Sequence, residues 1–334
     1  MMDLRNNTPF PAQLNVCSDR EGEHLLVVNL KATIGLSQDA QHVQTEQVAL
    51  LPGPIFRDMD EPSSLIHEGD LGLPCPGMDL GIVGEAYSPN QAAQVDVGIR
   101  VGDRVHVARV FGERRWQRGL MGLSISQPQP FSKQPLVFEN AYGGWDTSPD
   151  DPKHAAYEPR NPVGRGFHAK KGKGPKDGDL LPSIQQVNQV IRDWHQSIDP
   201  VGFGFTPTHW HPRANYAGTY DETWRSERCP LLPEDFDDRF YHAAVPQLTF
   251  DEPIDGSTIE LWNLFPFEYL QVPVPKYCIR VEAQIGNQLT SASAKLDRLT
   301  LLPGDGLLTL LFKATFACTR KMHQVKFVRT ELDP

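Results

Sequence analysis

The chain has 334 residues and a formal net charge of −10, which excludes a general affinity for the phosphates of nucleic acid. It contains 27 Gly and 29 Pro, which together exceed their usual share of about 12% and argue against a bundle of long helices. Its five cysteines are far apart and form no C-x-x-C pair, which argues against a disulfide framework or a zinc ribbon. No stretch has the apolar length of a signal peptide or a membrane span, so we expect a cytoplasmic protein with no membrane partner.

The N-terminal third predicts β-sheet. Apolar and polar residues alternate over 26–34 and over 95–101, as they do in half-buried strands. A turn at Gly102 and Asp103 leads into a further alternating run over 105–109, which predicts a hairpin. Residues 51–77 lie between these strands and hold many prolines and glycines, so we expect a winding surface connection there.

The middle of the chain, about 112–250, is irregular. Gly143 and Gly144 predict unusual backbone angles or a close approach of chain segments. Apolar residues recur at helical spacing over 183–195, with Ser183 as a candidate cap, and this predicts a helix. A second short helix is predicted from about 221 to 228.

The last third returns to strands. Alternating or apolar runs occupy 259–261, 279–285, 307–316 and 325–328. The run LLTLLF at 307–312 is apolar on both faces, which predicts a central strand.

The predicted fold class is therefore mainly β, or α+β at most. We expect the N- and C-terminal strands to form the sheet, with a loop-rich middle segment and one or two short helices. The chain is interpreted as one unit over 1–334. A subdivision into a β-rich part at 1–145, a loop-rich insertion at 146–250 and a β-rich part at 251–334 remains open.

The segment Thr206–Phe240 concentrates aromatic rings among prolines, histidines and acids. Such rings bring large contact areas, and prolines fix the backbone between them, so this segment holds one shape or forms a binding surface. Trp210, Tyr220 and Trp224, with Arg213 and Arg225 around them, are residue types that dominate binding hot spots. The same aromatic residues are also suited to pinning the middle segment to the sheet.

A metal-dependent hydrolase is the alternative. His209 and His211 flank Trp210 and offer imidazole ligands, with His195 upstream and Asp221 or Glu222 downstream. On a strand the two imidazoles would share a face, but nearby prolines favour a loop and ordinary hydrogen-bonded histidines. Glycine-rich phosphate motifs are missing, which argues against nucleotide binding. Because ordinary histidines are preferred to metal ligands here, we predict no catalytic residue, no metal and no cofactor.

The order of several segments resembles a bacterial family called domain of unknown function 2169, found beside type VI secretion genes. The strand VVNLKAT lies at 27–33 and RVFGERRW at 109–116, while GTYDETWRSERCPLLPEDFD at 218–237 matches the family's strongest block. The other matching positions are NNTPF at 6–10, Ser63 and Ser64 ahead of Asp70, Phe138, Glu139, Ala141, Tyr142, Gly143, Gly144, Asn161, Pro162, Val163, Gly164, Gly166 and Phe167. An ENL-like motif appears at 260–264, where Trp262 inserts one extra residue.

This resemblance implies an adaptor or chaperone and no enzyme. Family members are thought to stabilise a toxic effector and load it onto the valine-glycine-repeat spike protein, so the expected partners are a type VI effector and the spike. We expect the loop-rich middle to form the surface that binds the effector, and exposed strand edges to be able to accept a strand from it. The identity of the effector, the stoichiometry and the oligomeric state do not follow from the sequence.

Overall fold

The computed structural model of the chain describes residues 3–36, 42–44, 46–120, 122–266, 268–318 and 322–333. Regular structure in these ranges is almost entirely β, which confirms the predicted fold class. The strands are β1 (Asp3–Asn7), β2 (Ala12–Ser18), β3 (His24–Gly35), β4 (His42–Val43), β5 (Ile55–Phe56), β6 (Leu65–His67), β7 (Met78–Ile82), β8 (Glu85–Tyr87), β9 (Gln94–Val101), β10 (Arg104–Phe111), β11 (Trp116–Gly119), β12 (Gly122–Ile125), β13 (Lys133–Pro135), β14 (Tyr142–Gly143), β15 (Trp145–Asp146), β16 (Ala156–Tyr157), β17 (Arg165–Gly166), β18 (Ile184–Gln186), β19 (Thr249–Phe250), β20 (Thr258–Trp262), β21 (Tyr269–Pro273), β22 (Cys278–Ile285), β23 (Gln288–Leu302), β24 (Leu307–Ala317) and β25 (Val325–Asp333).

Helical structure is sparse. The described residues contain one α-helix, α1 (Glu222–Glu227), whose position confirms the short helix predicted near 221–228. The 3-10 helices are Pro89–Gln91, Phe138–Asn140, Pro152–His154, Arg213–Tyr216, Asp238–Tyr241, Pro246–Leu248, Pro303–Asp305 and Met322–Gln324. None of the helices in the described ranges combines the length and the apolar character needed to cross a membrane.

Strands from both ends of the chain form the larger sheet, as predicted. Its order is β1-β25-β22-β23-β24-β3-β2, with β4 beside β3 and with β7 pairing both β23 and β19. The first and last strands run parallel, so that Asp3 lies opposite Phe327. The neighbouring strands along the rest of the order pair antiparallel.

The centre of this sheet is β24, between β23 and β3. Leu308, Leu310 and Leu311 are at most 2% exposed, which confirms that the LLTLLF run is buried on both faces. The alternation predicted for 26–34 is also present in β3, where every second residue joins the main apolar cluster: Leu26, Val28, Leu30, Ala32 and Ile34. Residues of the other parity, including Lys31, are buried on the opposite face.

A β-bulge interrupts the pairing of β23 with β24 between Leu296 and Arg298. In a regular strand, successive side chains point to opposite faces, but a bulge re-aims the side chains beside it. Asp297 and Arg298 are both buried, and each takes part in an ion pair. The bulge thus places two consecutive charged residues within the protein.

The second sheet has five strands in the order β18-β10-β9-β20-β21. The predicted hairpin is present as β9 and β10, and Gly102 in its turn has φ of +57°. Apolar side chains of this sheet, such as Val97 and Val110, lie in the same cluster as those of the larger sheet. That cluster draws on all three predicted parts of the chain, with Leu80, Phe205 and Leu301 among its members.

The helix predicted over 183–195 is wrong. Ile184 instead lies in β18, at the edge of the second sheet, opposite Val110 of β10. The side chain of Gln185 donates to the carbonyl of Pro182 and accepts from the backbone of Ile191, which holds the chain in a turn. Tertiary pairing and a buried amide therefore override the helical spacing of the apolar residues.

The connection over 51–77 only partly matches the prediction of a surface segment. It is irregular apart from β5 and β6, but Leu65, Asp70 and Cys75 within it are buried. Asp70 and Cys75 lie on the outer face of the larger sheet, opposite the main apolar cluster, where they bond to charged residues of β3 and β23. Leu65 instead joins the main apolar cluster. The segment is therefore irregular in backbone but contributes buried side chains to the interior of the protein.

Candidate functional site

A groove with a volume of about 800 Å³ lies between the loop at 56–63 and segments from the middle part of the chain. Three large apolar side chains on its lining are exposed: Met59 by 80%, Trp145 by 60% and Tyr157 by 42%. Scattered single apolar residues are normal on a protein surface, but a contiguous group at a groove marks a binding site. This groove is the candidate functional site.

The aromatic pair of the groove is fixed by strand pairing. Trp145 in β15 lies directly opposite Tyr157 in β16. Their rings stack with centroids 4.1 Å apart and planes 15° from parallel. Cross-strand aromatic pairs stabilise a short sheet and also present a flat, rigid surface that loses little entropy on binding.

The glycines before Trp145 hold this surface close to the body of the protein. Gly143 has φ of +150°, and a Cβ added there would lie 2.1 Å from the carbonyl oxygen of Asn161. The buried amide of Asn161 donates to the carbonyls of Phe138 and Tyr142, while the Gly144 N–H donates to the Asn161 carbonyl. The predicted role of the glycine pair in close chain approach is confirmed.

The charge of the groove is negative. Asp58, Asp60 and Glu61 are exposed on its lining, and none of the described residues that line it is Lys or Arg. Asp58 Oδ1 accepts hydrogen bonds from the backbone N–H groups of Asp60 and Glu61, which orders this acidic turn. The groove therefore suits an apolar partner segment that carries positive charge.

The expectation that Trp210 is an exposed anchor is wrong, because its side chain is only 1% exposed. Its ring packs edge-on against Phe138, with centroids 5.4 Å apart, within the main apolar cluster. Trp210 also contributes to the lining of the groove, so it supports the surface from below. Trp210 therefore follows the alternative prediction: its ring anchors the middle segment to the core.

Arg213, predicted to lie beside these aromatic residues at a binding surface, is likewise buried. Its guanidinium donates to the Glu68 carboxylate at 2.7 Å and to the carbonyls of Thr206 and Phe240. These bonds tie the segment 206–240 to the loop that covers the larger sheet. An arginine that is buried and hydrogen-bonded in this way stabilises the fold and is not a contact for a partner.

The other three predicted residues lie at the surface around α1. Tyr220 is 53% exposed, Trp224 is partly buried and Arg225 is exposed. The rings of Tyr220 and Trp224 meet edge-on at 4.7 Å, and Trp224 Nε1 donates to the carbonyl of Leu231. The side chain of Asp221 caps the helix by accepting from the Trp224 N–H. These residues form a second exposed aromatic surface, and Trp224 does not line the Met59 groove.

The histidine pair of the alternative hypothesis does not form a cluster of ligands. His209 is exposed at the groove, and the backbone N–H of His211 donates to the carbonyl of Pro159. Within the ranges that the structure describes, one group of at least three His, Cys, Asp or Glu residues has ligand atoms that converge, and it contains neither histidine.

That group consists of Cys75, Asp79 and His242. Burial, and then the charges of Asp297 and Asp79, raise the pKa of the Cys75 thiol. Burial alone would lower the pKa of His242, but its hydrogen bond to Asp79 and the charge of that carboxylate outweigh burial and raise it. A high thiol pKa does not suit Cys75 to act as a nucleophile.

Sequence reasoning did not identify Met59, Trp145 and Tyr157 as a surface, nor Cys75, Asp79 and His242 as a cluster. The cluster has no local motif, because its histidine is 163 residues from its aspartate. The sequence carries one signal for this surface, because Gly143 and Gly144, which permit a close approach of chain segments, directly precede Trp145.

Comparisons with known proteins give one match. No curated protein and no solved structure matches the chain. A family model described as "Uncharacterized protein conserved in bacteria (DUF2169)" matches residues 21–313, a range that runs from just before β3 into β24 and includes the groove and α1. Because this match extends over most of the sequence, the chain belongs to the bacterial family DUF2169.

Proposed function

We propose that this protein is a cytoplasmic adaptor that binds and stabilises a type VI secretion effector and helps to load it onto the valine-glycine-repeat spike protein. The resemblance described above supplies the class of partner. The observation that carries the proposal is the groove in which the exposed Trp145–Tyr157 stack and Met59 meet an acidic turn. A rigid aromatic surface with adaptable methionine beside it is suited to gripping a polypeptide.

The partner segment at the groove is proposed to be apolar and basic. Three exposed carboxylates border the aromatic pair, and the whole chain has a formal net charge of −10. Opposite charge on the effector would speed association and fix orientation, while burial of the rings would supply affinity. We therefore expect binding to weaken as salt concentration rises.

The test is co-expression with a candidate effector encoded beside type VI secretion genes. The adaptor should raise the soluble yield of the effector and form a complex that survives gel filtration, and the spike protein should bind that complex. Trp145→Ala and Tyr157→Ala should each weaken effector binding by at least about tenfold, which corresponds to about 1.4 kcal/mol.

Tyr269→Ala is the matched control, because Tyr269 is 44% exposed but lies in β21 of the second sheet. It should leave effector binding unchanged. If both groove variants bound the effector as tightly as the wild type, the groove would not be the effector surface. If no effector gained solubility or formed a complex, the adaptor function itself would be rejected.

A further inference from the structure

Three side chains with different ligand chemistry converge beneath the outer face of the larger sheet. Cys75 comes from the loop before β7, Asp79 from β7 itself, and His242 from the segment after the 3-10 helix at 238–241. One ligand atom from each, a thiol sulfur, a carboxylate oxygen and an imidazole nitrogen, lies within 4.8 Å of the other two. Cys75 and Asp79 are buried and His242 is nearly so.

The spacing of these atoms suits a small divalent ion. Zinc binds sulfur at about 2.3 Å and nitrogen or oxygen at about 2.0–2.2 Å, so its ligands in a tetrahedral site are roughly 3–4 Å from one another. His242 Nδ1 and Asp79 Oδ1 are now 2.7 Å apart, joined by a hydrogen bond. An ion that replaced the shared proton would need these two atoms to separate by roughly 0.3–1.3 Å.

The groups around the three ligands are already ordered. The second oxygen of Asp79 accepts from the backbone N–H of Ala243 at 2.6 Å and of Ala244 at 3.2 Å. The backbone N–H of Cys75 donates to Asp297 Oδ1 at 2.9 Å. Protein metal sites hold their ligands in place through such outer hydrogen bonds.

Charge and access also favour a cation. Asp297 adds a second carboxylate beside Cys75, although Lys313 pairs with it at 3.1 Å. Cys75 and Asp297 line a cavity of about 480 Å³, and His242 lines another of about 190 Å³. Cavities therefore adjoin two of the three ligands, and a water from either cavity would complete the coordination of an ion.

We propose that Cys75, Asp79 and His242 form a binding site for one divalent transition-metal ion, with Zn²⁺ as the best match to this mixture of ligands. This proposal does not depend on the adaptor function. As the sulfur–metal bond forms, the Cys75 S–H bond breaks and its proton passes to solvent. Imidazolium His242 likewise releases the Nδ1 proton that it shares with Asp79 and keeps the proton on Nε2, so that a neutral imidazole binds the ion. No oxidant or reductant is required.

The experiment uses the full chain, purified without a metal-chelating tag in a reducing buffer, stripped with a chelator and then given Zn²⁺. Elemental analysis after desalting should find about one zinc per chain. Cys75→Ser and His242→Gln should each lower zinc affinity at least about tenfold, the low end of the usual effect of disturbing a metal site. Cys229→Ser and His209→Gln are the matched controls and should retain zinc, because both residues are exposed and lie outside the cluster.

A second measurement separates loss of a ligand from loss of the fold. Co²⁺ added to the stripped wild type should give the near-ultraviolet absorption of a thiolate bound to cobalt, and Cys75→Ser should lack that band while keeping the far-ultraviolet circular dichroism of the wild type. The proposal is overturned if the stripped wild type binds no zinc, or if zinc and the cobalt band persist in the folded Cys75→Ser variant.

Discussion

Replacing Asp70 by asparagine tests the buried ion-pair network on the outer face of the larger sheet. The Asp70 side chain is 4% exposed and bonds to Lys31 at 2.8 Å, to Arg298 at 3.2 Å and to the backbone N–H of Leu51 at 2.8 Å. Asp70→Asn keeps the shape but removes the charge, so two buried cations lose their shared anion.

The expected loss follows from what each cation keeps. Among the residues that the structure describes, Lys31 Nζ retains only the carbonyl of Ala49, at 3.3 Å, whereas Arg298 retains the carbonyls of Glu68 and Gly69. Removing one partner of a buried ion pair costs about 3–5 kcal/mol, and the bonds that Arg298 keeps place this case near about 3 kcal/mol. This is a large part of the 5–15 kcal/mol, approximately, that holds a typical domain folded.

Urea unfolding followed by circular dichroism measures this loss. With a slope of about 3 kcal/mol per molar urea, the midpoint should fall by about 1 M. Glu222→Gln is the control: it makes the same change of charge in an exposed pair with Arg225 and should leave the midpoint unmoved. In the double variant with Lys31→Met, the loss should be smaller than the sum of the two single losses. The reasoning is refuted if Asp70→Asn shifts the midpoint no more than Glu222→Gln does.

Burial lowers the pKa of His106 in the folded protein below the value of about 6.5 that it has in the unfolded chain. As the pH falls, the unfolded chain therefore binds a proton before the folded protein does, and the free energy of unfolding should decrease from about pH 7 to about pH 5. Thermal unfolding across that range should show a smaller fall for His106→Gln, and equal falls would contradict this assignment. A Cβ at Gly81 would lie 2.3 Å from the Phe205 ring, so Gly81→Ala should cost about 1–3 kcal/mol in urea unfolding, whereas Gly72→Ala, with nothing within 4 Å, should not. Trp210→Ala should cost about 3–5 kcal/mol because the ring is buried, and a loss below about 1 kcal/mol would restore its role as a surface anchor.

The strands of the sheets could be predicted because their residues carry their own pattern. The alternation over 26–34 and the doubly apolar run at 307–312 both specify burial without reference to distant residues, and β3 and β24 lie where those patterns indicate. The short helix α1 was predictable for a similar reason, since Asp221 caps it locally. Local chemistry was sufficient for these elements.

The site could not be predicted in the same way, because it depends on pairing between distant residues. The Trp145–Tyr157 stack exists only because β15 pairs with β16, two strands of two residues each that carry no periodic pattern. Burial of Trp210 and Arg213 depends on Phe138 and Glu68, which are far away in the sequence. The residue type alone, aromatic or basic, does not show whether a side chain is buried or exposed.

The Lys31–Asp70–Arg298 contacts carry a consequence for synthesis on the ribosome. Asp70 is 39 residues from Lys31 but 228 residues from Arg298, and β3 pairs along its length with β24. The edge of β3 that pairs with β24 therefore has no partner in the nascent chain until almost the whole polypeptide has been made. Over the same period Asp70 can pair with Lys31 but not with Arg298. Truncation within β23 or β24 should leave the first third of the chain prone to aggregation and dependent on cellular chaperones.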